Sequence, residues 1–507
     1  MTQAQTSRIL AAGTLFVALT LAGHARLNAE IVPGAQLARD IQAIVDSPTA
    51  EARLLAATLA QGMGLTGFTA DQAAYPLAPQ QVLPMPQGNA VGEVGNLQIA
   101  LTQLAILAGA NGQMSLIRAQ NAQSEALIVR QGSVTLADLA DQMASRQTPV
   151  LIERDGVFYL DRPLVVWSDA GLTIGPGETL VLNRTAGAFL MSFGSLSIQQ
   201  GTVRAEGAPN IGAPEFRPFV LVAGQGTLNA TGSDFSDLGI ATATLFGGLT
   251  VATPGLIRPE FSSAVIDNRF QDVSRVSLIM ADAGQMIGNR LQGSQGAIVV
   301  SGGQDVAVMS NDLHPGAASS GIRVTDGARG TVVAANIVIG GDKNGILIDR
   351  NVAGITLENN LLMQNGADGI SLSRVNCARI RNNLVVQNRA VGVQLFDSAG
   401  VEVTGNGVLL NGVAGIDIQA KDQTGGTLVA QNVLARNGEG LRGTGIGQVT
   451  LQENALRDQL PRLFGGDFTA YLPGYLKVSE QDKGDTFVIN AVVDAAGKSG
   501  ATCQEGW

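Results

Sequence analysis

The residues best placed to do chemistry are charged side chains that return at one position of a repeat. Asp326, Arg350, Arg374 and Asp397 each lie five residues after a glycine that precedes an aliphatic residue. Arg323, Thr325, Asp349 and Ser373 stand two or four residues after the same glycines. Arginines in such a column suit a linear chain of carboxylated units, because each guanidinium fork matches a carboxylate and successive repeats supply successive subsites. The same residues also read as a solvated face whose alternating charges keep stacked repeats from repelling one another. His314 is the only histidine after residue 25, and two cysteines with one histidine make no metal site.

The element that must position these residues is a short repeat. Gly321-Ile322, Gly345-Ile346, Gly369-Ile370, Gly392-Val393, Gly415-Ile416 and Gly440-Leu441 follow one another at steps of 24, 24, 23, 23 and 25 residues. Asn311, Asn336, Asn360, Asn383, Asn406 and Asn432 keep the same beat, with a second asparagine five residues on at Asn365, Asn388, Asn411 and Asn437. The period is too short for a helix pair, and the segments between alternate apolar with polar residues, the period of a strand. These features predict an all-β fold, a parallel β-helix, in which each coil buries its apolar side chains only when another coil stacks on it at about 4.8 Å. An asparagine amide that donates and accepts between coils would satisfy the buried turns, and the glycines are expected to allow a tight corner. Within each Gly-Ile-x-Ile-x, strand alternation points the residues two and four after Gly outward.

Elsewhere the chain is less explicit. It has 507 residues, 64 glycines, 45% hydrophobic and 4% aromatic content, which suits stacked small and β-branched residues. A net charge of −10 makes nucleic acid an unsuitable partner. Residues 1–25, with Arg8 before the apolar run 9–22, read as a signal sequence that directs the chain to the periplasm or outside the cell, leaving no membrane span. Residues 26–132 read as a mainly helical extension with a Pro-rich linker at 75–88, 133–455 as the β-helix opened by a short helix at 133–143, and 456–507 as a cap or tail. Residues 99–106 and 124–129 are apolar but fit either helix or strand. Cys377 and Cys503 can pair if the tail folds back, or remain thiols.

Residues 332–417 resemble the periplasmic mannuronan C5-epimerases, notably in Asn336-Ile-Val-Ile-Gly, Gly345-Ile-Leu-Ile-Asp-Arg-Asn, Leu357-Glu-Asn-Asn and Gln364-Asn-Gly-Ala-Asp-Gly-Ile-Ser-Leu. Upstream, Ser133-Val-Thr-Leu, Glu153-Arg-Asp-Gly-Val-Phe-Tyr-Leu, Gly187-Ala-Phe-Leu and Glu215-Phe-Arg-Pro-Phe are similar to that family in the same order. The resemblance covers residues 133–441. It implies a right-handed parallel β-helix in the periplasm that inverts C5 of sugar residues within a polymer and uses no nucleotide or redox cofactor.

The chemistry it implies needs a cation to neutralise the sugar carboxylate, a base to take the C5 proton, and an acid to return one on the opposite face. Arg350 matches the family's neutralising arginine, and Arg323 and Arg374 would serve as subsite cations. The family's Asp-Pro-His-Asp motif falls on Arg323-Val324-Thr325-Asp326, so a threonine stands where the histidine is expected, and an unactivated hydroxyl is no base near neutral pH. His314 or Asp326 would then carry the proton. His314 beside Pro315 also suits a structural or surface role, and Asp326 also suits pairing with Arg350. Three functions stay open: an epimerase, a lyase that uses the same carbanion, and a non-catalytic binder or scaffold for an anionic polysaccharide. The helical extension would be a docking element for periplasmic export proteins.

Overall fold

The computed structural model describes residues 34–70, 83–109, 113–120, 124–144, 146, 149–293, 297–316, 319–420, 426–479, 486–490 and 503. The signal sequence expected at 1–25, and residues 75–82 of the Pro-rich stretch, lie outside them. The described strands form three long sheets, of 15, 14 and 14 strands, and in each sheet the chain adds one strand per coil. Sheet 1 runs from Val91–Asn96 to Arg462–Gly466, sheet 2 from Gly132–Thr135 to Thr486–Asn490, and sheet 3 from Leu151–Arg154 to Ala455–Arg457. Pairing within the coils is parallel, so this is a parallel β-helix.

Register explains the repeat. Ile322, Ile346, Ile370, Val393, Ile416 and Leu441 face one another across successive strands of sheet 1 and are fully buried. Each contributes apolar area that only its neighbours cover, which makes stability a property of the stack. At the corner between sheets 2 and 3, Asn336 donates its Nδ2 to Asn360 Oδ1 at 3.0 Å and to the Val308 carbonyl at 2.9 Å, and its own Oδ1 accepts from Asn311. This ladder runs from Asn268 through Asn454. A second ladder, Asn365 to Asn437, ends on Gln459.

The repeat glycines turn out to serve a different purpose from the one expected. Gly321, Gly345, Gly369, Gly392, Gly415 and Gly440 have no positive φ; a Cβ on Gly369 would lie 2.3 Å from Val385 Cγ1 and 2.9 Å from the Gly392 carbonyl. They are glycines because sheet 3 and the next coil come too close for a side chain, not because the corner bends. The backbone bend falls instead on residues with positive φ, such as Asp326, Arg350 and Arg374.

The coils begin before residue 133, where sequence placed their start. Glu125–Arg130 is already a strand of sheet 1, with Val91–Asn96 antiparallel on its free edge. Ser133 is in a strand too, and the helix follows it at Leu136–Ala144, started by Thr135, whose Oγ1 accepts the Asp138 amide. At the other end Arg462–Gly466 is still a rung, and Thr486–Asn490 closes sheet 2 antiparallel. The N-terminal extension holds strands as well as helices. Helices α1 (Gly34–Asp46) and α2 (Thr49–Gly62) pack on the outer face of sheet 3 against Ile337, Leu361, Leu384 and Leu409. Helices α3 (Leu97–Ala108) and α4 (Met114–Ala119) pack with Phe189, Phe216 and Phe219 on the outer face of sheet 1.

Candidate functional site

Sheet 1 is covered over its first strands only. The α3/α4 roof rests on Val165, Met191, Leu221 and Ala252, and beyond them the outward residues are mostly polar, with Val299, Leu347 and Phe396 among them. Two columns run down that open stretch. The first holds Ser277, Val299, Arg323, Leu347, Ser371, Gln394, Asp417 and Arg442; the second holds Ile279, Ser301, Thr325, Asp349, Ser373, Phe396, Gln419 and Thr444. Strand alternation puts both columns on the surface while the intervening residues fill the core. Three of the expected site residues, Thr325, Asp349 and Ser373, therefore share one column, with Arg323 beside them.

The expected cations are in different states. Arg323 grips Asp349 with both Nε, at 3.3 Å, and Nη2, at 2.6 Å, so this pair is mutually neutralised. Arg350 leaves the end of its strand from a left-handed backbone, φ 60°, and its Nη1 lies 3.2 Å from Asp326 Oδ1. The same corner of neighbouring rungs is also left-handed at Met280, Asp326, Arg374 and Asp397, so this conformation belongs to the solenoid and is not a mark of the site. Arg374 is exposed and has no ion pair among the described residues. Arg275, which the sequence reading passed over, faces the Arg323 end of the groove; burial and then the Arg323 charge lower its proton affinity.

Neither expected proton carrier is set up for that task. Burial works to raise the proton affinity of Asp326, but the Ser301 hydroxyl, 2.8 Å from Oδ2, and the Arg350 guanidinium outweigh it, and the carboxyl sits below its ordinary range. That makes it a weak base and a good partner for Arg350. His314 lies on the strand Asp312–Pro315 of sheet 3, away from sheet 1. Its Nε2 is 3.1 Å from Asp312 Oδ1. Asp312 in turn accepts from Thr49 at the start of α2 and lies 3.4 Å from Arg290 Nε. His314 therefore belongs to the anchorage of the N-terminal helices and is not brought to Arg350.

The groove face carries hydrogen-bonding atoms with no protein partner. Thr250 Oγ1, Ser277 Oγ, Thr325 Oγ1 and Asp417 Oδ1 all point outward from sheet 1 and are all buried and unsatisfied. Buried polar atoms are ordinarily paired, so these outward oxygens are able to meet the hydroxyls of a ligand laid along the face. Further along, burial raises the proton affinity of Asp417 above the carboxylate norm, against the opposing pull of Gln419 and Arg442. Asp368 is raised in the same way, by burial and by the Asp417 charge, despite the Val391 amide and the Ser371 hydroxyl. Asp417 stands two residues after Gly415, an outward position of the repeat, and carrying that column one rung further, to Arg442, was the signal available.

Comparison with known proteins bears on this geometry. A 279-residue stretch is 24% identical to the mannuronan C5-epimerase of Pseudomonas putida, covering 52% of this chain and 49% of that protein. Another, of 334 residues, is 22% identical to the mannuronan C5-epimerase of Pseudomonas syringae pv. tomato, covering 61% and 59%. The chain is thus similar to the mannuronan C5-epimerases. The matches span about half the length of those two epimerases. Crystal structures of the periplasmic alginate epimerase AlgG share the fold at TM-scores of 0.66 and 0.65, each 20% identical; they cover 75% and 76% of this chain and 99% and 100% of their own. Residues 261–459 also match a family described as periplasmic copper-binding protein (NosD). Among the described residues no group of three or more His, Cys, Asp and Glu is placed to hold a metal ion.

Proposed function

We propose that the open face of sheet 1 binds an anionic polysaccharide in the periplasm and modifies it by C5 epimerisation. The observation that carries this reading is that one face of sheet 1 presents arginines together with unsatisfied hydroxyl and carboxylate oxygens, on rungs that succeed one another at about 4.8 Å. A polyuronate offers a carboxylate and hydroxyls to each rung, and the arginines would neutralise the carboxylate whose neighbouring C5 proton is to be removed. The relatives named above support the choice of polymer. The Cys377–Cys503 disulfide, left open by the sequence, supports an oxidising compartment. Among the described residues no helix is long and apolar enough to cross a membrane.

A scaffold that binds the polymer without reacting is the second reading, and it draws on Thr325, aligned where the family's histidine is expected. Proton NMR of polymannuronate incubated with the purified chain separates the readings. New guluronate signals are expected for the epimerase. Unsaturated chain ends would identify a lyase, and an unchanged polymer would leave the binder.

A further inference from the structure

The arginine–carboxylate pairs of the groove are not equivalent. Asp349 is consumed by a two-pronged contact with Arg323, and Asp326 is tied to both Ser301 and Arg350. The third pair is arranged otherwise. Asp417 and Arg442 face each other on adjacent strands of sheet 1, Ala414–Gln419 and Glu439–Thr444. Asp417 is 2% exposed; its Oδ2 accepts from Gln419 Nε2 at 2.8 Å, and its Oδ1 has no partner. Arg442 Nε stands off at 3.9 Å from Asp417 Oδ2 and 4.0 Å from Glu439 Oε2, and its side chain is 41% exposed. Its guanidinium is therefore unclamped and able to take a carboxylate from outside. A cavity of about 480 Å³ opens beside it, lined by Val413, Glu439, Arg442, Thr444, Leu460 and Pro461.

Resting on the polyuronate reading, we propose that Asp417 is the proton-transfer group of this groove and that Arg442, one rung away, holds the carboxylate of the sugar that reacts. Arg442 swings from its long contacts to the substrate carboxylate, and Asp417 Oδ1, which no protein group engages, is the atom that takes the proton. The C5–H bond breaks, its proton passes to Asp417, and the electron pair moves into the substrate carboxylate as an enediolate held by Arg442. Water on the opposite face protonates C5, and the hydroxide left behind takes the proton from Asp417, so the groups return to their starting state. The charged groups that bear on Asp417 are Arg442 from the next strand, Glu439 behind Arg442 and paired at 3.4 Å with Arg462, and Asp368 from the turn before Ile370–Ser373. Asp417 keeps a proton at a pH where Asp326 has lost its own, which makes it the stronger base of the two.

The test follows deuterium into C5 of polymannuronate in heavy water with the full chain, Asp417→Asn, Arg442→Ala and Asp326→Asn. Loss of about 100-fold or more is expected for Asp417→Asn, the scale of one general base. Arg442→Ala is expected to raise KM as well as lower kcat. The wild-type kcat/KM should climb with pH through an apparent pKa above the ordinary carboxylate range, the limb that Asp417 would write. Wild-type exchange retained in Asp417→Asn overturns the proposal and leaves the polyuronate reading standing, whereas a wild type that never exchanges overturns both. Should the Asn variant unfold, the wild-type pH limb decides, and a limb at or below the ordinary carboxylate range counts against Asp417.

Discussion

One chemical group takes opposite characters along this groove, and its neighbours set which. Asp326 lies among Ser301, Arg350 and Arg323 and is held below the usual carboxylate range. Asp417 lies where burial dominates and is pushed above it. The sign of each effect on stability follows. A raised acid ionises in the unfolded chain first, so stability falls as pH rises from the ordinary value, about 3.9, to the folded one. Asp417→Asn removes that loss, and the variant should be at least as stable as the wild type at pH 7; thermal unfolding at pH 4 and pH 7 reads it. Asp312, lowered by His314, Thr49 and Arg290 against the cost of its burial, behaves in the opposite sense. Its contribution is present above the ordinary carboxylate value and is lost as pH falls through the folded one. His314→Ala should therefore weaken the docking of α2 by about 1 kcal/mol while leaving C5 chemistry untouched, which urea unfolding and the NMR assay together would show.

At the scale of the elements, the ladders decide where the coils turn. Asn360 Nδ2 donates to Asn383 Oδ1 and to the Val333 carbonyl, while its Oδ1 accepts both the amide and Nδ2 of Asn336. Asn360→Ala strands several buried groups at once, each costing about 1–3 kcal/mol, so a loss of at least about 3 kcal/mol is expected in denaturant unfolding. Gly369→Ala meets Val385 and the Gly392 carbonyl and should cost about 1–3 kcal/mol by overpacking. Both devices were legible in the sequence as periodicity, because a ladder and a close approach each demand one residue type per coil. The alternation of Ile346 and Ile348 inward with Leu347 and Asp349 outward was legible for the same reason. The left-handed corners were not, since side chains as different as Asp326, Arg350 and Met280 occupy them. Spacing separates the strand of His314 from that of Thr325, as the structure has it, but could not show its partners, Asp312 and Thr49, because these belong to the helical anchorage.

Over the whole molecule, helices decide which part of the solenoid stays open. The α3/α4 roof closes the early part of sheet 1, and α1 and α2 take the outer face of sheet 3, leaving the later strands of sheet 1 for a polymer. From Arg323 through Leu347, Ser371, Gln394 and Asp417 to Arg442 the open column spans successive rungs at about 4.8 Å, or about 24 Å in all. Affinity for uronate oligomers should rise with length until a chain fills that span and then level off, as isothermal titration with a size series would record. The Cys377–Cys503 bridge ties a residue 126 positions away onto the solenoid. Its reduction should lower stability by about 2–4 kcal/mol, seen as a lower thermal midpoint in reductant. The most direct test of the central claim is deuterium at C5 of polymannuronate after incubation with the wild-type chain in heavy water. Deuterium incorporated at C5 with guluronate formed is the predicted result; polymer that is bound along the groove yet keeps its C5 protons would contradict it.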